Sequence, residues 1–181
     1  MIHSMEPDKV RTFHREQKVP APLPEVFALF SEARNLNRLT PPWLHFQVLS
    51  QTDRELKAGT LIQYQLAWHG FPMRWITRIE EWRPPTRFVD IQLKGPYRLW
   101  HHTHGFEACD GGTLIKDAVQ YAVPFGTWGN FFAGWMVERD VKRIFDYRAR
   151  QIAEIFNVQS VPWIWGGPSS SKLKSNAHGA Q

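Results

Sequence analysis

Two histidines and one aspartate near the middle of the chain are the residues best suited to move a proton. His102 and His104 alternate along one segment, and Asp117 lies in the next. A carboxylate beside an imidazole fixes the tautomer of the ring and favours its charged form. His104, oriented by Asp117, could therefore act as a general acid or base, or hydrogen-bond a ligand carbonyl. The alternative is a buried structural pair that holds the strands in register.

A predicted β-hairpin from Arg98 to Tyr121, RLWHHTHGFEACDGGTLIKDAVQY, brings these residues together. Asp110-Gly111 between two alternating segments predicts a type I′ turn, in which both turn residues have positive φ. A two-residue turn at this position places His104 opposite Asp117. It also puts His102 on the same face, one pleat away.

The same face of this hairpin carries apolar side chains around the polar ones, which is typical of a ligand-cavity wall. Arg98 could meet a ligand carboxylate and Tyr121 could donate a hydrogen bond, or either could lie at the rim of the sheet. Tyr64, Trp75 and Trp100 are further wall candidates, with ordinary core packing as the alternative. The complete set of candidate ligand-binding residues is Tyr64, Trp75, Arg98, Trp100, His102, His104, Phe106, Asp117 and Tyr121.

A His/His/Asp metal site at the two histidines is a competing interpretation of the same residues. The histidines share one strand face, but the sequence identifies no further ligand. A nucleophile–base–acid triad and a phosphate-binding glycine loop are also not visible. We therefore predict a site without a metal and without another cofactor.

Composition limits the classes of function. The 181 residues and 43% apolar content fit one domain with a real core, and the net charge of +5 is spread along the chain. No basic stripe or known motif accompanies that charge, so we predict no nucleic-acid partner. The single cysteine, Cys109, rules out an internal disulfide framework and suits a reducing, cytoplasmic setting. No apolar run is long enough to span a bilayer, so membrane contact would be peripheral. The oligomeric state is not predicted.

The order of predicted elements is one strand, two short helices, six strands and a long helix. Pro24 suits the first turn of the first helix, and Asn130 is the predicted cap of the last. The predicted ranges are strands at 11–19, 45–51, 61–68, 73–82 and 88–93, the two hairpin strands, helices from Pro24 and at 35–38, and the long helix at 130–156.

Two further hairpins complete the predicted sheet. A turn around Gly70-Phe71 places Tyr64 opposite Thr77. A turn at Gly95-Pro96 places Val89 opposite His102, with Val89 and Ile91 on the inner face.

The ends of the chain differ from the middle in composition. Residues 1–10 predict a flexible arm and 11–158 a single domain. Residues 159–181 predict a mostly disordered tail because Gly, Pro, Ser and Lys dominate after Trp165. The Trp-rich start of the tail, Pro162–Trp165, either docks back on the domain or acts as a lid, a partner contact or a membrane-surface contact.

The element order and two sequence stretches resemble the START/SRPBCC superfamily, and within it the bacterial ligand-binding branch described as polyketide cyclase/dehydrase-like. The stretches are GPYRLWHHTHGFEACDGGTLIKDAVQYAVPFG at 95–126 and RIFDYR at 143–148. The matching residues are Gly95, Pro96, Tyr97, Trp100, His102, His104, Phe106, Gly112, Thr113, Asp117, Val119, Tyr121 and Pro124. The resemblance implies an α+β helix-grip fold, in which a curved seven-stranded antiparallel sheet grips the last helix over a hydrophobic cavity.

Three functional hypotheses follow. The first is a binding protein for a hydrophobic, lipid-like or aromatic small molecule, oriented by His102, His104, Asp117 and Tyr121. The second is a cyclase/dehydratase-type enzyme in which His104 and Asp117 transfer a proton. The third is a protein-interaction module that acts through the Trp-bearing tail.

Overall fold

A computed structural model describes residues 10–123 and 126–157, and of residues 126–133 it describes the backbone only. Its strands and α-helices, in chain order, are β1 (Arg11–Val19), α1 (Leu23–Phe30), α2 (Leu36–Leu39), β2 (Gln47–Gln51), β3 (Leu61–Trp68), β4 (Phe71–Arg83), β5 (Arg87–Lys94), β6 (Leu99–Cys109), β7 (Gly112–Ala122) and α3 (Gly126–Ile155). Short 3₁₀ turns, Ala33–Asn35 and Pro42–Leu44, flank α2. Most of the predicted arm, and the predicted tail with Pro162–Trp165, lie outside the described residues.

The strands form one antiparallel sheet in the order β1-β7-β6-β5-β4-β3-β2. Strands β2 to β7 follow one another as a meander, and β1 pairs with β7. The predicted α+β fold, with a seven-stranded antiparallel sheet and a C-terminal helix, is confirmed. In the described part of the chain, no helix is both long enough and apolar enough to cross a bilayer.

Two apolar clusters fix the helices to one face of the sheet. The first joins α1 to the end of the β6–β7 hairpin that carries the turn. It includes Phe27, Phe30, Phe88, Phe106 and Ile115. The second joins α3 to the open end of the same hairpin, away from the turn. It includes Val119, Tyr121, Val137, Val141 and Phe145. The apolar residues of α3 recur at helical spacing, so one side of the helix faces the sheet.

The β6–β7 hairpin has the predicted register but not the predicted turn. His104 lies opposite Asp117, and Cys109 opposite Gly112. Gly111 has a φ of +70°, whereas Asp110 is not among the residues with positive φ, so type I′ is wrong. The register is unaffected, because the number of turn residues determines it.

The β3–β4 hairpin closes earlier than predicted. Tyr64 lies opposite Trp75 rather than Thr77, and the turn is His69-Gly70. Both turn residues have positive φ, +49° and +85°, which suits a tight hairpin between twisted strands. The shift is two residues, so every side chain stays on its predicted face.

The β5–β6 register is wrong by one residue, and this correction changes the site. Asp90, not Val89, lies opposite His102. A two-residue turn leaves an even number of residues between paired positions, whereas nine residues, 92–100, separate the last pair, Ile91 and His101. Within this connection the Gln92 side chain donates a hydrogen bond to the Tyr97 carbonyl at 2.6 Å. A shift of one residue exchanges the two faces of a strand. Asp90 therefore faces inward in place of the predicted Val89 and Ile91.

The last helix begins earlier than predicted. It starts at Gly126, so Asn130 lies inside the helix and does not cap it. Glycine costs only about 1 kcal/mol inside a helix, so Gly126 and Gly129 do not delay its start. Pro24 does lie in the first turn of α1, as predicted.

Candidate functional site

A cavity of about 340 Å³ lies between the sheet and the helices. Strands β3 to β6 form one wall, and α1, α2 and α3 close the other. Apolar side chains dominate the lining, including Leu39, Ile62, Leu66, Trp75, Trp100 and Val137. Asp90, His102, His104 and Arg148 also line the cavity, so it has an apolar body and one polar region.

Two histidines and two aspartates form a closed network at this polar region, which we call the His/Asp square: Asp90, His102, His104 and Asp117. Asp117 Oδ1 lies 2.9 Å from His102 Nε2 and 3.1 Å from His104 Nδ1. Asp90 Oδ2 lies 3.0 Å from His104 Nε2 and 3.4 Å from His102 Nδ1. One oxygen of each carboxylate therefore lies close to both imidazoles, and hydrogen bonds join His102 Nε2 to Asp117 and His104 Nε2 to Asp90.

Register and packing hold the square together. The predicted pair, His104 and Asp117, is directly cross-strand, and Asp90 lies across from His102 on the other side of β6. The two imidazole centroids are 3.7 Å apart, and the His104 ring stacks on Phe88 at 4.0 Å. All four residues are removed from bulk water; the Asp90 side chain, with 15% exposure, is the most accessible.

The two histidines have opposite protonation tendencies. Burial, and then repulsion from charged His104, lowers the pKa of His102 to about 4. Burial would also lower the pKa of His104, but its contacts with Asp117 and Asp90 outweigh burial and raise it above the ordinary value. Of the two rings, His104 therefore favours its charged form and His102 its neutral form.

The two aspartates remain ionised despite their burial. Burial would raise the pKa of Asp117, but its contacts with His102 and His104 hold the pKa below the ordinary value. Burial would also raise the pKa of Asp90, but its contacts, mainly the one with His104, hold the pKa below the ordinary value. The square thus holds two carboxylates and one imidazole that favours its charged form, within a largely apolar cavity.

The aromatic wall is less available for polar contact than its residue types suggest. Tyr64 Oη and Thr77 Oγ1 are 2.8 Å apart, and Trp75 Nε1 donates to the same Thr77 oxygen at 3.0 Å. Both polar atoms already have partners in the protein. Tyr64, Trp75 and Trp100, whose rings pack in sequence at 5.8 and 5.3 Å, therefore present mainly apolar surface.

The structure separates the predicted residues into two groups. Tyr64, Trp75, Trp100, His102 and His104 line the cavity. Asp117 lies behind the histidines, Phe106 and Tyr121 are buried in the two apolar clusters, and Arg98 is exposed just before β6. These four are not among the lining residues.

The polar lining residues that were missed from the sequence include Asp90 and Arg148. Asp90 was assigned to the wrong strand face because the predicted β5–β6 register differs by one residue from the observed one. Arg148 lies on the inner side of α3, its Nε is buried without a hydrogen-bond partner among the described residues, and its charge contributes to the low pKa of Asp90. Its position beside the apolar stripe of α3 was the available signal.

Comparisons with known proteins agree with this architecture. Residues 19–146 match the family described as polyketide cyclase/dehydrase and lipid transport. No match is found among curated proteins.

Solved structures share the fold at low sequence identity. Protein Ms6760 from Mycobacterium smegmatis is 18% identical, with a TM-score of 0.61 over 82% of this chain and 96% of its own. Norcoclaurine synthase from Thalictrum flavum is 13% identical, with a TM-score of 0.60 over 82% and 98%. The di-domain ARO/CYC protein StfQ of the steffimycin pathway is 11% identical, with a TM-score of 0.66 over 82% of this chain and 51% of StfQ. At these identities the likeness concerns the fold alone.

The family match covers most of the chain, and the helix-grip sheet, final helix and cavity agree with it. The chain therefore belongs to the polyketide cyclase/dehydrase and lipid transport family of the START/SRPBCC superfamily.

Proposed function

We propose that this protein binds a hydrophobic small molecule, lipid-like or aromatic and polyketide-like, in the cavity between the sheet and α3. The cavity itself carries the proposal: its volume of about 340 Å³ falls within the range of about 300–1,000 Å³ typical of small-molecule sites. Its combination of apolar walls and a few convergent polar groups is also typical of such sites.

The lining suggests how the ligand is oriented. Burying apolar surface contributes about 0.8 kcal/mol per methylene group and supplies affinity without direction. The His104 imidazole, which favours its charged form, and the Arg148 guanidinium lie in the wall, so an oxygen-bearing end of the ligand belongs beside them. The apolar end then lies against Trp75 and Ile62.

Native mass spectrometry of the purified chain tests the proposal, together with titration of a naphthalene dye. Ala33 is buried and lines the cavity, so Ala33→Leu should fill part of it and lower dye affinity at least tenfold. Ala108, exposed on β6, provides the matched control, and Ala108→Leu should bind as the parent does. Circular dichroism checks that both variants fold. If the parent neither retains a ligand nor binds the dye, the cavity is not a binding site.

A second candidate function is cyclase/dehydratase-type catalysis, favoured by the position of His104. This imidazole lines the cavity and is held between two carboxylates. It is placed to give a proton to a ligand carbonyl, with Asp90 and Asp117 as positioning residues. General acid–base catalysis of this kind contributes about 10²–10⁴-fold to a rate.

A model poly-β-ketone thioester, with its products separated by chromatography and mass spectrometry, tests the enzymatic alternative. His104→Gln should lower cyclised product at least 100-fold while the fold is retained. His101→Gln, on the same strand but partly exposed beside Glu80, is the control and should leave the rate unchanged. Equal rates for His104→Gln and the parent would rule out this role.

A further inference from the structure

We propose that Asp90, His102 and His104 form a binding site for a divalent first-row transition metal, with Zn²⁺ the ion that fits best. The site lies at the polar region of the cavity. The site needs no donor atom from the organic ligand proposed above, because the protein supplies all three side chains. Two imidazoles and one carboxylate are donors that Zn²⁺ accepts readily.

The distances between the donor atoms suit a shared ion. Ligand atoms about 2.0–2.2 Å from one Zn²⁺, at right to tetrahedral angles, are about 3.0–3.5 Å apart. Asp90 Oδ2 lies 3.0 Å from His104 Nε2 and 3.4 Å from His102 Nδ1. All three donor groups lie within 4.8 Å of one another. Two of the three donor–donor distances therefore already match those of a metal site, and the third is at most 4.8 Å.

Asp117 occupies the position of an outer-shell carboxylate. Its Oδ1 contacts His102 Nε2 and His104 Nδ1, the nitrogens that face away from Asp90. Metal-binding histidines usually direct their second ring nitrogen at a carboxylate or carbonyl, which fixes the tautomer. Here Asp117 is the hydrogen-bond partner of His102 Nε2, which leaves the lone pair of His102 Nδ1 directed toward Asp90. The His104 Nδ1 atom lies 3.1 Å from the same oxygen without a hydrogen bond, and its Nε2 faces Asp90.

When both rings are neutral and carry their protons on the Asp117 side, three acceptors converge beside Asp90 with no donor between them. A proton on His104 Nε2 satisfies its contact with Asp90, but the 3.4 Å contact of Asp90 with His102 Nδ1 still joins two acceptors. A divalent cation satisfies all three atoms at once. It also balances the two negative charges of Asp90 and Asp117 when both rings are neutral.

The cavity leaves room for a further ligand to the ion. Asp90, His102 and His104 line the cavity, whereas Asp117 does not. Three protein ligands and an accessible fourth position are typical of a metal that contacts water or a bound molecule. The positive charge of Arg148 interacts with the Asp90 carboxylate and should therefore weaken the binding of a cation there. Removing that charge should therefore tighten metal binding.

Calorimetric titration of the full chain with ZnCl₂, after a chelator has stripped adventitious metal, tests the proposal. The parent should bind one Zn²⁺ per chain. Asp90→Asn and His104→Gln should each weaken binding at least tenfold, and Asp117→Asn about 10–100-fold. Arg148→Met should bind more tightly. The matched controls are Asp110→Asn in the exposed hairpin turn and His101→Gln, and both should bind within twofold of the parent.

Two outcomes would overturn the site. One is a parent protein without saturable one-to-one binding. The other is unchanged affinity in Asp90→Asn and His104→Gln, which would place the ion elsewhere on the chain. If these variants fail to fold, imidazole ¹⁵N spectra of the parent decide: Zn²⁺ should shift His102 Nδ1 and His104 Nε2, and unshifted resonances contradict the proposal. Dye binding to the metal-free parent tests the cavity separately.

Discussion

Asp90 changes the chemistry of its neighbours because it closes the His/Asp square. With Asp117 alone, the two imidazoles would share one carboxylate and each would leave a nitrogen facing the cavity. Asp90 meets both of those nitrogens, at 3.0 and 3.4 Å. Truncating one partner of a buried charged network typically costs about 3–5 kcal/mol, because the remaining charge is left uncompensated. Retaining such a network inside an apolar cavity is consistent with a functional role.

The pH dependence of stability distinguishes the two histidines in metal-free protein. The folded-state pKa of His102 is about 4, below the value of about 6.5 expected for an unfolded chain. The unfolded chain therefore binds more protons between these values, and His102 makes the protein less stable as pH falls from 6.5 to 4. His104 has a raised pKa, so its contribution is complete below pH 6.5 and is lost only as pH rises through the folded pKa.

Urea unfolding at several pH values checks this expectation. His102→Gln should remove part of the stability loss between pH 6.5 and 4, so its curve should be flatter than that of the parent. His14→Gln, on the opposite, solvent-accessible side of β1, is the control and should leave the slope unchanged. A His102→Gln curve parallel to the parent's would mean that folding does not lower the pKa of His102.

At the scale of elements, turn length decided which parts of the site could be predicted. The β6–β7 hairpin has an unambiguous two-residue turn, so the pairing of His104 with Asp117 followed directly from the sequence. The β5–β6 connection contains Gly95-Pro96, which resembles a short turn, but the Tyr97 backbone is tied to Gln92 and lengthens the loop. Sequence alone does not reveal that contact, and the one-residue error hid Asp90.

The junction between β1 and β7 gives a test at the element scale. Gly112 has a φ of +149°, and a Cβ there would lie 2.0 Å from the Val19 carbonyl oxygen. Gly112→Ala should therefore incur about 1–3 kcal/mol of backbone strain and a further cost of about 1–3 kcal/mol for forced repacking. Gly59→Ala, at a φ of +92° with open space around it, should incur only the strain.

Thermal and urea unfolding measure both variants. The expected order of stability is parent, then Gly59→Ala, then Gly112→Ala. If Gly112→Ala were no less stable than Gly59→Ala, the close approach of β1 to the hairpin would not constrain the sheet as described.

At the scale of the whole molecule, the cavity divides the structure into lining and supporting parts. The lining residues come from β3 to β6, the three helices and their connections, whereas β1, β2 and β7 provide none among the described residues. One apolar cluster joins α1 and Ile152 of α3 to strands β6 and β7, and the other joins Val137, Val141 and Phe145 of α3 to the β6–β7 hairpin. The fold thus keeps a space open that its own side chains do not fill.

This division predicts which elements become more protected from hydrogen exchange when a ligand binds. A molecule that binds only the folded state stabilises it by about 2.7 kcal/mol at 100 times its Kd, and local opening of the lining elements is suppressed with it. Hydrogen–deuterium exchange, measured with and without the naphthalene dye, should show slower exchange in α2 and in the segment of α3 around Ile144. Strand β1 supports the sheet without touching the cavity, so its exchange should change least. Equal protection of β1 and α2 would indicate global stabilisation by a ligand bound elsewhere. Faster exchange in α2 would mean that the dye separates the helices from the sheet instead of filling the cavity beneath them.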